Sequence, residues 1–359
     1  HDDNFQLQDN ILYATNNAYR TFRQGSIPKD HIRYLSAIDD DGRTDADGDG
    51  VSDVYASSAP ANVEAALTVW AANLADSQTP VYLYLVDHGL VDVFKSHGDD
   101  DTITPTELDG WLNALESSTG APVSVVYEAC HSGSFIDGAA EVSAPGRVVI
   151  ASTGRENSAY ASPGHGAYFS DAFFTALRQS QDLYTSFQWG ETAVKATGLW
   201  QTPWLDDNGN GVPNEDADGE LARGRGLTNF AFAEERPPVI GQVLPPTNIQ
   251  GGQGALRAQV RDDGDLAQVD VWAIVYPPSF EAPEPSPDGT MPDLNLPPVS
   301  LSDSNQDGEF VGLYEGFTES GTYHVVVYAE DAEGNLSQPA TAAVQTGWVV
   351  YLPLLLSAP

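Results

Sequence analysis

Two residues in this chain could do covalent chemistry by type and surroundings: Cys130, the only cysteine, and His88. Thiol catalysis needs a nucleophile on an exposed turn and a base within its reach. Cys130 follows the apolar run 122–127 and precedes Ser132, Gly133 and Ser134, small residues that would let a substrate backbone approach. His88 follows the apolar run 81–86 and precedes Gly89, whose bare backbone can turn an N–H toward a developing oxyanion. Each alone has an ordinary explanation, a buried structural cysteine and a loop histidine. Together, at the ends of two strands with glycines beside them, they read as a nucleophile and its acid–base partner.

The elements that must position them follow from periodicity. Residues 5–24 carry Ile11, Leu12, Ala14, Ala18, Tyr19 and Phe22 at helical spacing, the pattern of an amphipathic helix. A strand is expected at 32–38, an acidic loop at 39–53 and a second helix at 61–76. The continuous apolar run 81–86 predicts a strand buried on both faces. At 104–107, Thr104 can cap a helix, Pro105 suits its first position and Glu107 completes a capping box. Strands at 122–127 and 147–151 are followed by helical patterns at 168–180 and 185–198. Alternating strands and helices predict an α/β domain over 1–234, with a mostly parallel sheet flanked by helices. Ligands of such sheets bind beyond the strands' carboxyl ends, where His88, Cys130 and Ser152 all fall. Residues 235–247 read as a linker. Residues 248–346 read as an all-β immunoglobulin-like sandwich, with strands at 255–261, 268–276, 309–314 and 321–329, interrupted by a Pro-rich loop at 277–298. Residues 347–359 form a tail or last strand.

The sequences YLVDHG at 84–89 and VYEACHSGSF at 126–135 closely resemble the two catalytic motifs of the legumain family, cysteine peptidases with the caspase-like fold. AYRTFRQGSIPKDHIRYLSAIDDD at 18–41 looks like the family's helix, turn and second strand, and STGRENSAYAS at 152–162 like the wall of its primary specificity pocket. The likeness covers roughly residues 5–200, with its pieces in order. It implies that Cys130 attacks the scissile carbonyl, and that His88 protonates the leaving amine and then activates water. The N–H groups of Gly89 and Cys130 would hold the oxyanion. Glu128 would lie in the specificity pocket, with Ser152, Asn157 and Ser158 on its wall. Asp87 matches an Asp that supports ligase side chemistry in the family. The family's first strand, which would precede the helix at 5–24, has no counterpart here, and it carries an Asn that orients the histidine and an Arg of the specificity pocket. Asn4 is a candidate for the first. Cleavage after Asn or Asp is therefore expected alongside an alternative, Arg- or Lys-directed cleavage through Glu128. A third reading, from another class, is an inactive calcium-stabilised surface adhesion protein.

DADGDGVSD at 45–53 places Asp45, Asp47, Asp49, the Val51 carbonyl and Asp53 at positions 1, 3, 5, 7 and 9 of an EF-type loop, with Gly50 at the sharp turn. Position 12 is Ala56, so a closing ligand must come from elsewhere. Asp206, Asn208, Asn210 and Val212 repeat the pattern, and 303–308 is a shorter version. Structural Ca2+ is the expectation.

Composition narrows the partners. There are 52 acidic against 15 basic residues, a formal net charge of -37, which repels nucleic acid and anionic membranes; a peptide or protein substrate is what the family resemblance implies. No apolar run reaches the roughly 18 residues of a membrane span. Calcium-type loops favour a secreted or cell-surface bacterial protein, and the ending VVYLPLLLSAP resembles tails of exported proteins of some filamentous bacteria. The start at His1 reads as a trimmed form, which makes self-processing an expectation. His131 is expected to point away from the thiol, His165 to lie at the surface, and Trp189, Trp200 and Trp204 to pack the core.

Overall fold

The computed structural model describes residues 4–37, 44–98, 100–138, 141–179, 181–227, 236–284, 286–292 and 294–347. The predicted tail beyond 347, most of the acidic loop's first half and residue 235 of the linker lie outside the described residues.

Helix α1 (Asn4–Gln24) buries Leu7, Ile11, Ala14, Ala18 and Tyr19, the stripe its periodicity requires. Strand β1 (Tyr34–Ser36) pairs in parallel with β2 (Val54–Ser57). The predicted helix at 61–76 is a short α2 (Pro60–Ala65) that passes into a π turn and then a 3-10 turn. Strand β3 (Val81–Val86) leads into a ribbon of β4 (Gly89–Leu90), β5 (Val93–His97) and β6 (Asp101–Ile103) that the periodicity did not announce. Helix α3 (Pro105–Thr119) starts with the full capping box, the Glu107 N–H donating to Thr104 Oγ1 at 3.3 Å. It ends at Gly120 with φ of 70°, a left-handed stop that glycine adopts at little cost. Then come β7 (Val123–Glu128), β8 (Val148–Ala151), α4 (Tyr168–Arg178), α5 (Leu183–Thr197), β9 (Trp204–Asp206) and α6 (Glu220–Arg223).

The central sheet has the order β3-β7-β8-β9, the first three strands parallel and β9 antiparallel. Every residue of β7 is buried. Strand β3 departs from expectation: it is the sheet's edge, and only Leu85 in it is fully buried. Helices cover its faces, which explains its apolar sequence. Its free edge borders a groove of about 500 Å³ that β1 faces from the other side, lined also by α1 and residues 63–75.

The predicted linker is itself partly strand, β10 (Val239–Leu244). It pairs with β11 (Gly254–Arg261), while β12 (Asp270–Tyr276) pairs with β13 (Val299–Leu301). With β14 (Glu309–Tyr314), β15 (Gly321–Glu330) and β16 (Ala340–Thr346) these make two sheets, β10-β11-β14 and β13-β12-β15-β16. Between them lie Leu256, Ala258, Val260, Val271, Ala273, Val275, Val325 and Val327. The alternate residues of β12 and β15, Trp272, Ile274, Val326 and Tyr328, face the other way and join one core with Phe169, Phe173 and Leu177 of the α/β domain. Burial of such side chains contributes roughly 1.5–3 kcal/mol each, so the two units are held as a single body.

Polar contacts reinforce this face. Tyr13 Oη donates to Glu330 Oε1 at 2.6 Å, and His165 Nε2 lies 2.9 Å from Glu330 Oε2. Arg178, fully buried, donates through Nε to Asn335 Oδ1 at 3.3 Å and through its terminal nitrogens to Asn17 and the Gly334 carbonyl. His165, expected at the surface, is instead mostly buried and stacked on Trp272 with centroids 4.1 Å apart. The sandwich supplies its burial, which the local Gly-rich sequence could not signal. Trp200 corrects the other way, 80% exposed rather than in the core.

Candidate active site

Strand β7 ends at Glu128 and the chain reaches Cys130 two residues later. Strand β3 ends at Val86, with His88 two residues on. Because these strands are adjacent and in register, Val86 beside Glu128, the two predicted catalytic residues leave the sheet side by side. Gly89 makes this approach possible: a Cβ there would lie 2.4 Å from the Cys130 carbonyl oxygen and 3.0 Å from Tyr127 Oη. Behind Cys130, His131 adopts φ of 59° and turns its Nδ1 to the Arg155 carbonyl at 2.8 Å, away from the thiol's partners. The Arg155 guanidinium grips Asp92 at 2.9 and 3.1 Å, tying the ribbon after His88 to the loop after β8.

The small residues 132–134 do not open a path for substrate as expected. They form a buried 3-10 turn, and a Cβ on Gly133 would meet the Trp204 ring at 2.5 Å. Their smallness serves packing beneath Trp204.

The thiol and imidazole flank one stretch of chain from the Pro-rich loop. Gly89 N–H donates to the Gly289 carbonyl at 3.2 Å, Cys130 Sγ lies 4.0 Å from the Thr290 carbonyl, and Met291 N–H donates to His88 Nδ1 at 3.3 Å. Met291 is buried against Cys130 and Leu7. Cys130 is 1% exposed and Sγ is also 3.7 Å from the Ala159 carbonyl; burial pushes the thiol up to about 11.

Around this pair sit the predicted pocket residues. Glu128 is fully buried, with Oε2 accepting from Ser170 Oγ at 2.6 Å and from Ser170 N–H at 3.1 Å. Its Oε1 has no hydrogen-bond partner among the described residues, and burial pushes the carboxyl up to about 7. Ser152 is buried with its hydroxyl 3.5 Å from that of Ser132. Asn157 accepts from His131 N–H at 2.9 Å through its carbonyl, and Ser158 is buried with an unpartnered hydroxyl. Asp87 folds back to accept from His88 N–H at 2.8 Å; burial raises it to about 6. Sequence reasoning missed Asp171, at the start of α4 beside Ser170. Its Oδ2 accepts from Gly166 N–H at 3.1 Å, its Oδ1 is unpartnered, and burial pushes it up to about 7. A carboxylate inside the mostly apolar, fully buried stretch 168–178 was the available signal. The Asn4 side chain lies outside what the structure describes.

The predicted calcium residues are partly assembled. Ligand oxygens of Asp45, Asp47 and Asp49 converge within 4.8 Å of one another, and Asp47 Oδ1 has no hydrogen-bond partner. Asp45 receives the N–H groups of Asp49 and Gly50, and Asp49 that of Val51. Asp53 points elsewhere, to Tyr19 Oη at 2.7 Å and Lys29 Nζ at 2.6 Å. In the second loop Asp206 caps Gly209 and Gly211, Asn210 Oδ1 accepts from Val212 N–H at 2.8 Å, and Asn208 and Asn210 turn their amides to Glu215. Only the first loop brings three acidic ligands together among the described residues.

The peptidase C13 family model matches residues 71–196. No curated protein matches the chain. Among solved structures, the chain is similar to the PKD domain of an M14-like peptidase from a Thermoplasmatales archaeon, at 17% identity over 31% of this chain and 96% of that one, with a TM-score of 0.19. It is also similar to pro-sf-caspase-1, at 14% identity over 44% and 75%, with a TM-score of 0.32. A third likeness is to a conjugative transposon lipoprotein from Bacteroides eggerthii, at 14% identity over 30% and 95%, with a TM-score of 0.18. Overlaps this small carry no weight for function. The family match spans β3, β7 and β8 together with His88, Cys130 and Ser152, the same stretch whose motifs pointed to legumain-type peptidases. Residues 71–196 thus resemble the peptidase C13 family, a match that covers about a third of the chain and supports a cysteine peptidase.

Proposed function

We propose that the chain is an endopeptidase in which Cys130 attacks the scissile carbonyl and His88 transfers the proton to the leaving amine. The acyl-thioester is then hydrolysed by a water that gives its proton to the same imidazole. Gly89 N–H supplies oxyanion stabilisation. The observation that carries this is the threading of one main-chain stretch between Cys130 Sγ and His88 Nδ1 with a carbonyl on Gly89 N–H, the position a substrate would take. Hydrolysis of fluorogenic peptides with Asn, Asp, Arg or Lys at P1, by the chain and by Cys130→Ala, tests it. Turnover that survives the substitution sinks it.

The pocket residue preference follows from Glu128 and Asp171. Two buried carboxyls, each with one unpartnered oxygen, suit a basic P1 side chain when ionised. When neutral, as burial favours, they suit Asn or Asp. Both readings are carried by the same pocket and separated by pH.

Asp45, Asp47 and Asp49 would hold structural Ca2+, which supplies positive charge that stiffens the loop after β1, beside Lys29 and Arg23. Filling such a site favours an extracellular setting, with the two-sheet unit read as an immunoglobulin-like domain. Self-processing is tested by the N-terminal sequence of the Cys130→Ala chain.

A further inference from the structure

The Pro-rich loop between β12 and β13 is long for a connection in a small sandwich, and long loops without secondary structure are usually functional. It leaves the sandwich at 277 and crosses the α/β domain. Tyr160 Oη donates to the Pro283 carbonyl at 3.2 Å, and the stretch 289–292 is buried or half-buried in the cleft. Its entry is fixed by a tight turn in which Asp288 accepts from Ser286 Oγ at 2.6 Å and Thr290 N–H at 3.0 Å. Prolines 283, 287 and 292 restrict the backbone, so laying the loop in the cleft costs less conformational entropy.

Three consecutive residues then engage the three catalytic groups in turn: Gly289 at the Gly89 N–H, Thr290 at the thiol and Met291 at the imidazole. We propose that residues 289–291 are a built-in pseudosubstrate strap, carried by the sandwich, that keeps the enzyme latent until the loop is cut or lifted. The inference rests on the peptidase reading for its consequence and on geometry for its existence. Gly289 explains why the strap persists as an inhibitor. The residue whose carbonyl sits at the oxyanion donor has no side chain to offer a specificity pocket. A Cβ there would lie 2.5 Å from the Gly89 carbonyl oxygen, and φ is 80°. The strap takes the main-chain contacts of a substrate and omits the specificity contact on which turnover depends. Met291, wedged against Leu7 and Cys130, replaces that contact with apolar burial.

The test uses the full chain and two readouts: the rate at which iodoacetamide alkylates Cys130 under native conditions, and hydrolysis of the P1 peptide panel. Met291→Asp and Gly289→Val unseat the strap. In a third form, a recognition sequence for an unrelated site-specific protease is inserted after the exposed Glu284, so that the chain folds before it is cut. Alkylation at least 10-fold faster in the variants and after cutting, with a parallel rise in turnover, is expected. Faster alkylation without any turnover would keep the strap and overturn the peptidase reading. Alkylation as fast in the uncut chain as after cutting overturns the strap, whether or not the point variants fold.

Discussion

Gly89 and Gly289 meet backbone to backbone, the N–H of the first donating to the carbonyl of the second at 3.2 Å. Neither tolerates a side chain at this approach: a Cβ on Gly89 would be 2.4 Å from the Cys130 carbonyl oxygen, and one on Gly289 would be 2.5 Å from that of Gly89. Gly89→Ala should therefore push the oxyanion donor off its position. Once the strap is cut, kcat should fall roughly 10²–10³-fold, the usual cost of losing one such donor, with KM little changed. Steady-state kinetics on one peptide read this out; a loss confined to KM would place Gly89 outside the oxyanion site.

The catalytic pair gives a second expectation. Cys130→Ala removes the nucleophile and should abolish turnover. His88→Ala keeps the thiol but loses proton transfer, at a cost of about 10²–10⁴-fold. Burst experiments distinguish the steps, because the His88 variant should also slow deacylation, where the same imidazole must activate water. Equal rates for His88→Ala and the unsubstituted chain would mean that another base serves.

Glu128 and Asp171 predict a pH-dependent choice of P1. Burial holds both up near about 7, so they are largely neutral in mild acid and ionised in mild base. The ratio of kcat/KM for Arg over Asn substrates should rise as pH passes upward through about 7, and Glu128→Gln should flatten that rise. A ratio independent of pH between 5.5 and 8.5 would remove these carboxyls from the pocket.

The sequence was most legible where a local rule acts alone. Thr104, Pro105 and Glu107 specify the start of α3 without help from elsewhere. The buried run 123–128 is equally plain, because a central parallel strand needs apolar residues on both faces. What it concealed depends on distant partners. The run 81–86 reads as a central strand, yet edge position is a property of the neighbour, not of the strand. His165 looked like a loop residue because its burial comes from Trp272, more than a hundred residues on. The proposed pair, Cys130 and His88, stood out as two motifs, whereas Asp171 was hidden by its helical context. The seating of Gly289 at Gly89 joins a sandwich loop to a strand end, and no periodicity encodes it.

The first acidic loop predicts calcium-dependent stability. Asp45, Asp47 and Asp49 converge, and their repulsion is offset in part by Lys29, which lies 2.9 Å from Asp49, and Arg23, 3.0 Å from Asp47. Adding Ca2+ at 100 times its Kd should stabilise the fold by about 2.7 kcal/mol. A melting curve with and without chelator measures it, and Asp47→Asn should abolish the difference while leaving the chelated protein unchanged or slightly more stable. A calcium effect that survives Asp47→Asn would move the ion to another loop.

The contact of His165 with Glu330 couples pH to the seam between the two units. Burial disfavours the imidazolium, but the hydrogen bond and charge of Glu330, with Asp171 nearby, outweigh it and raise His165 above its ordinary 6.5. Burial likewise opposes the Glu330 charge, and the His165 hydrogen bond, its charge and the Tyr13 hydroxyl outweigh that, lowering Glu330 below 4.5. A raised histidine stabilises fully below about 6.5 and loses that contribution as pH climbs through its folded value. A lowered carboxyl stabilises above about 4.5 and loses it as pH falls through its folded value. Asp171, held up to about 7 by burial, contributes fully below its ordinary 3.8 and loses that contribution as pH rises to about 7, mostly below the range in which His165 acts. The melting temperature should therefore be highest at about pH 4.5 and decline as pH rises, through Asp171 up to about 7 and through His165 above 6.5. His165→Gln removes part of that decline, and Asp171→Asn removes another part. Because the strap descends from the same sandwich, alkylation of Cys130 should quicken over the same pH range by more than thiol ionisation alone accounts for, and the excess should shrink in His165→Gln. If the excess is unchanged in that variant, the seam and the strap are uncoupled.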